Sequence, residues 1–239
     1  DRRQRQMCIR DRADKVSLAL LKFFTVLTSL GAKERLALSF RHMNDDPQNH
    51  IRVIPPLLRR EVTLHEPYSG DYIHGYMVNA GFSENVMKWH RQHPGIPLRF
   101  FWDKWEEEPV KRVDNTLSFY QLDDVEFLRQ MAGCKAYAST AGFESVCEAM
   151  YLGKPILMVP AHIEQDCNAY DAEKSGAGII SSDFNLQQLL EFAKDYHPNR
   201  DFVYWVRGAE YTLLNLLESD SSNYQQVLFN EMYLVEEFI

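Results

Sequence analysis

The chain has 239 residues, 45% of them hydrophobic and 25% charged, with a net charge of −8. That length suits one large or two small domains with a real buried core, and the acidic balance, without a Lys/Arg-rich face interleaved with aromatics, argues against a nucleic-acid duplex as partner. The four cysteines, Cys8, Cys134, Cys147 and Cys167, show neither Cys-x-x-Cys spacing nor paired histidines, so no zinc or disulfide framework is signalled and a reducing, cytoplasmic setting fits.

Residues 1–12 carry five arginines and no hydrophobic period; they resemble a peptide translated from a sequencing adaptor and are set aside as non-native. Val16 to Ala32 is mostly apolar after a basic start. Ser29-Leu30-Gly31 fits a signal-cleavage pattern, but Lys22 interrupts the run and the stretch is short for a bilayer span, so it reads as a helix with an apolar face near a membrane. With a strand over Leu36 to Phe40, residues 13–41 read as the end of a truncated N-terminal domain. Loop signals are densest over 42–70, with Asn44-Asp45-Asp46-Pro47, Pro55-Pro56 and Pro67 to Gly70, which predicts an interdomain linker. Arg59 and Arg60 inside it either reach a pyrophosphate from the cleft edge or are solvated linker charges.

From Asp71 onward, residues 71–218 alternate strands and helices. Strands are predicted over Tyr72 to Val78, Leu98 to Trp102, Thr116 to Tyr120, Ala136 to Ser139, Ile156 to Val159 and Gly178 to Ser181. Helices are predicted over Ser83 to Gln92, Asp124 to Ala132, Phe143 to Leu152, Asn185 to Tyr196 and Asp201 to Glu218. Such alternation predicts an α/β fold with a parallel sheet and crossover helices. The tail, 219–239, has no Lys or Arg and near-helical apolar spacing, so it reads as a helix returning onto the N-terminal domain.

Chemistry concentrates between Ser139 and Ala169. A strand, the small-residue turn Thr140-Ala141-Gly142 and a helix aim helix-start amides at an anion, and the missing Cβ of Gly142 lets a phosphate approach. Glu148, a little under two turns into the helix, can bridge the vicinal hydroxyls of a ribose. Gly153 and Pro155 stop the helix; beyond Pro160, Glu164 and Gln165 can bond a sugar's hydroxyls, although Gln165 and Asn168 also suit caps of the next helix. Asn79-Ala80-Gly81, after the first strand of this domain, is a second phosphate cradle or an ordinary turn. Phe100, Phe101, Trp102 and Trp105 either stack a base or form a buried strand with an exposed neighbour. Cys147 reads as a buried structural thiol.

Gly142, Glu148, Gly153, Pro155, Pro160, the Glu164-Gln165 pair and Asn168-Ala169 together resemble the donor-site signature of GT-B glycosyltransferases, above all the family 1 and family 28 groups. The resemblance implies a Rossmann-like C-terminal domain of a GT-B fold, preceded by a remnant of the acceptor domain. It implies a pyrophosphate facing Thr140, Ala141 and Gly142, with Asn79 and Gly81 as the second cradle. Glu148 would meet the ribose, the Gln121-Leu122 loop the nucleobase through its backbone, and His162, Glu164 and Gln165 the donor sugar. Glu164 stands where many relatives have Asp. The donor implied is a nucleotide-diphosphate sugar, UDP-linked, and the acceptor a glycan or lipid-linked hydroxyl; transfer is inverting, with no cofactor. Without an Asp-x-Asp, no metal is called for. The base is expected upstream, with His162 the nearest candidate within the chain. A sugar-nucleotide epimerase and a noncatalytic nucleotide-binding module remain as alternatives.

Overall fold

The computed structural model describes residues 15–78 and 80–218. The adaptor-like peptide and the acidic tail lie outside the described residues. An N-terminal portion comprises α1 (Lys15–Thr28), β1 (Arg35–Leu38), β2 (Ile51–Ile54) and α2 (Arg60–Leu64). β1 and β2 pair in parallel as a two-stranded sheet, so the stretch expected as linker contains a strand belonging to the preceding unit.

The larger unit runs β3 (Ile73–Met77), α3 (Ser83–Gln92), β4 (Leu98–Trp102), β5 (Val110–Arg112), β6 (Leu117–Gln121), α4 (Asp124–Gly133), β7 (Ala136–Ser139), α5 (Phe143–Tyr151), β8 (Ile156–Met158), α6 (Ile163–Lys174), β9 (Gly178–Ile180), α7 (Leu186–Lys194) and α8 (Arg200–Arg207). Helical structure resumes over 209–218. Its seven strands lie in the order β5-β6-β4-β3-β7-β8-β9, all parallel except the β5–β6 pair. Setting β5 aside, this is the doubly wound order, in which the chain moves outward from β3 through β4 and β6 and then returns to lay β7 on the other side of β3. The strand order therefore reverses between β3 and β7.

The physical reason is visible in the strands. Parallel strands covered on both faces are apolar without alternation. Accordingly Ile73, Met77, Leu98, Phe100, Phe101, Leu117, Phe119 and Ala136 to Ala138 are buried, divided between a cluster on each face of the sheet. Gly75 makes room for one of these side chains, since a Cβ there would overlap the Phe100 ring. On the other face His74 is fully buried within a box of Phe101, Phe127 and Tyr137, and burial pushes its pKa down to about 3. The short, exposed strand β5 escapes the sequence pattern because Val110-Lys111-Arg112 has no buried face to signal it.

The two portions touch through named contacts. The Trp205 indole donates to the Ser39 carbonyl at 3.0 Å, Arg41 pairs with Asp171 at 3.4 Å, and the Phe40 ring lies 4.7 Å from that of Phe143. α1 rests against α6 yet buries none of its own residues. Among the described residues, no helix is long and apolar enough to cross a membrane.

Candidate functional site

β7 is wholly buried and delivers its C-terminal end into the crevice where the strand order reverses, the position at which open α/β sheets bind ligands. There the chain turns through Thr140 and Ala141 into α5. Ala141 has φ 62 and is fully buried, with its amide donating to Ser139 Oγ at 3.1 Å. The left-handed residue of the turn is therefore Ala141 and not Gly142, whose φ is −63. A Cβ on Gly142 would meet only Ser145 Oγ at 3.7 Å, an ordinary contact, so the fold makes no demand for glycine there. What the missing Cβ leaves is open space before the start of α5. Gly142 caps that helix without a side-chain hydrogen bond, and the leading amides face outward with the positive end of the helix dipole.

The second turn stands beside the first. Because β3 pairs with β7, the 3₁₀ turn Ala80–Phe82 emerges next to Thr140, and Thr140 Oγ1 accepts a hydrogen bond from the Val78 amide at 3.4 Å. Thr140 is fully buried, and its hydroxyl ties the two turns together. Gly81 is exposed within that turn, and Asn79 lies outside the described residues.

Glu148 projects from the buried side of α5 and is 1% exposed. Its partner was not legible in the sequence. Arg59 donates Nε–H to Oε1 at 2.6 Å and Nη2–H to Oε2 at 2.8 Å, while Nη1 donates to Asp124 Oδ1 at 2.9 Å. The hydrogen bond with Glu148, set against partial burial, raises the Arg59 pKa further above its already high ordinary value. Arg59 is thus no solvated linker charge. The signal that would have found it is the company Glu148 keeps: Val146, Cys147, Ala149 and Met150 are buried, and a carboxylate among them needs a cation.

The sugar-side loop follows β8. His162 is exposed at the N-cap of α6, and Glu164 is exposed in its first turn, so both face solvent near the crevice. Gln165 is buried, and its Oε1 accepts from the Ala161 amide at 2.8 Å just ahead of α6, in keeping with the capping alternative, which makes it a brace of the loop. Asn168 Nδ2 reaches the Ala141 carbonyl at 3.5 Å, linking α6 to the β7–α5 turn.

Gln121 ends β6 and Leu122 follows it, two strands from β3 in the same sheet. The Gln121 amide is spent on the 104–107 loop, donating to the carbonyls of Lys104, Trp105 and Glu107, the last at 2.6 Å. Leu122 packs on the same core cluster as Phe143. The aromatic group divides: Phe100, Phe101 and Trp102 are buried, with Trp102 stacked on Phe119, while Trp105 is 71% exposed. Cys147 is buried and its thiol is pushed well up by that burial, which leaves it a packing residue.

Known proteins match parts of this chain in sequence and in fold. A model described as "Glycosyl transferase family 1" matches residues 19–196. A Caenorhabditis elegans protein, ugt-48, which is named as a UDP-glucuronosyltransferase, is 26% identical over 105 residues, or 43% of this chain and 20% of that protein. Among solved structures, the glycotransferase of kitacinnamycin superposes with a TM-score of 0.54 at 14% identity, over 73% of this chain and 50% of that one. The calicheamicin glycosyltransferase CalG4 gives 0.51 at 14% identity, over 71% and 48%. UGT89C1 of Arabidopsis thaliana, complexed with quercetin, gives 0.50 at 15% identity, over 72% and 51%. This chain spans about half the length of those structures, and the mostly parallel sheet with flanking helices is similar to that of GT-B glycosyltransferases. Matched by the family model over more than half its length, the chain belongs to glycosyl transferase family 1.

Proposed function

We propose that this chain binds a nucleotide-diphosphate sugar in the crevice between β3 and β7 and performs the donor side of a glycosyl transfer. The observation that carries the reading is the start of α5: outward amides, a glycine that the fold itself does not require, and a neighbouring turn held at its side by Thr140. A diphosphate leaves as a dianion. Amides and the helix dipole aimed at it stabilise the charge that develops as the bond from the anomeric carbon to the phosphate oxygen breaks.

In this reading Glu148 meets the ribose hydroxyls, His162 and Glu164 meet the donor sugar, and Gln165 holds the loop that presents them. The nucleobase lies toward the end of β6. Transfer to a glycan or lipid-linked hydroxyl would be inverting, with the acceptor attacking from the face opposite the diphosphate. Counter-charge from the amides leaves no step that calls for a metal ion. A UDP-linked donor is favoured by the name of ugt-48, a UDP-glucuronosyltransferase. Cytoplasmic nucleotide sugars are the natural donor supply.

The test is thermal unfolding with UDP, GDP, ADP and dTDP. A ligand at about a hundred times its Kd that binds only the folded state adds about 2.7 kcal/mol. Stabilisation by one of the four supports the reading and identifies the base; no stabilisation by any of them contradicts it.

A further inference from the structure

The side chain of Glu148 is 2% exposed, and both its oxygens are taken by one guanidinium in a two-pronged contact. A ribose diol bridged by a carboxylate needs a lone pair on each of those oxygens; each oxygen has a second one, but with the side chain 2% exposed neither is open to the crevice. The hydroxyls can therefore reach Glu148 only where Arg59 now sits. Resting on the donor-site reading above, we propose that Arg59 is a latch over the ribose position: it competes with the diol for Glu148 and so determines how much the 2′-hydroxyl contributes to nucleotide selection.

Three features make the exchange feasible. Arg59 is 34% exposed, so its charge has water to return to when it leaves Glu148. It also keeps a second carboxylate, Asp124, which is 88% exposed and bonded to the remaining nitrogen at 2.9 Å. Moreover, Arg59 lies just ahead of α2, in extended backbone at φ −59 and ψ 136, on a segment separate from the sheet that fixes Glu148. Glu148 has no such freedom. Rooted in the middle of α5 among buried neighbours, its charge must be met either by the guanidinium or by incoming hydroxyl donors. The contact is a fork-shaped, charge-assisted one, stronger than a neutral hydrogen bond, so it sets a real threshold for the ribose.

The experiment measures Kd for UDP and 2′-deoxy-UDP on the full chain at about pH 8, where a carboxylate stays ionised. Arg59→Gln should tighten UDP and raise the 2′-deoxy-UDP to UDP ratio of Kd by about tenfold, the size of one hydrogen bond to a charged group. Arg59→Lys, which retains the charge but loses the fork, should give a smaller rise and covers the case in which the glutamine variant fails to fold. Adding Glu148→Gln to Arg59→Gln should return the ratio to the wild-type value. Wild-type binding of UDP with weaker UDP binding, or an unchanged ratio, in both Arg59 variants would overturn the latch and leave the donor site standing. No UDP binding by the wild-type chain would overturn both.

Discussion

The buried amide side chain of Gln165 accepts a hydrogen bond from the backbone of Ala161 at 2.8 Å, closing the loop between β8 and α6 on itself. A residue positioned to meet a sugar is thus spent on holding the loop that carries His162 and Glu164. Gln165→Ala should lower unfolding free energy by about 0.5–1.5 kcal/mol, the net value of the hydrogen bond, because the exposed Ala161 amide exchanges its acceptor for water. Gln165→Glu retains an acceptor and should cost less. Urea unfolding of the three proteins checks the order, and equal stability of Gln165→Ala and wild type would contradict it.

Ala141 occupies a left-handed backbone position, φ 62, in fully buried surroundings. A β-branched side chain is both strained in that conformation and too large for the space. Ala141→Val should therefore destabilise the chain by about 2 kcal/mol or more, read from the same unfolding curves.

His74 supplies the pH dependence. Burial, reinforced by the charge of Arg99, lowers its pKa to about 3 from an ordinary 6.5, so the unfolded chain binds its proton more readily than the folded one. A depressed histidine contributes stability in full above about pH 6.5, and that contribution is lost as pH falls toward 3. The loss amounts to a few kcal/mol at most. His74→Leu should show a shallower fall in stability between about pH 7 and pH 4 than wild type. Parallel pH profiles of the two would contradict the assignment.

Much of the fold was legible because its strands are buried on both faces: Leu98 to Trp102 is apolar at every position except Arg99, and the helix beginning at Ser83 ends at Gln92 as its pattern predicts. β2 was hidden among loop residues, although Ile51-Arg52-Val53-Ile54 has a strand's alternation, and its role came only from pairing with β1. In the site, the turn and helix positions of Gly142 and Glu148 were readable from spacing. Arg59 was not, since it joins Glu148 across 89 residues and only tertiary structure brings them together. Thr140 was read as part of the phosphate-facing turn, Gln121 as part of a base-facing loop and the Gln165 side chain as meeting the sugar or capping the next helix. Sequence marks such groups as polar and near the crevice, but it does not show that backbone groups of Val78, Glu107 and Ala161 claim them first.

The most direct test of the donor-site account is calorimetric titration of UDP into the wild-type chain and Gly142→Ala. Since the added Cβ meets only Ser145 Oγ at 3.7 Å, the variant should fold with stability within about 1 kcal/mol of wild type, while its methyl group intrudes where the diphosphate would lie. The account predicts UDP binding by the wild type and at least about a tenfold loss in a folded Gly142→Ala, equivalent to 1.4 kcal/mol. Equal affinity in the two proteins, or no binding by the wild type, would contradict it.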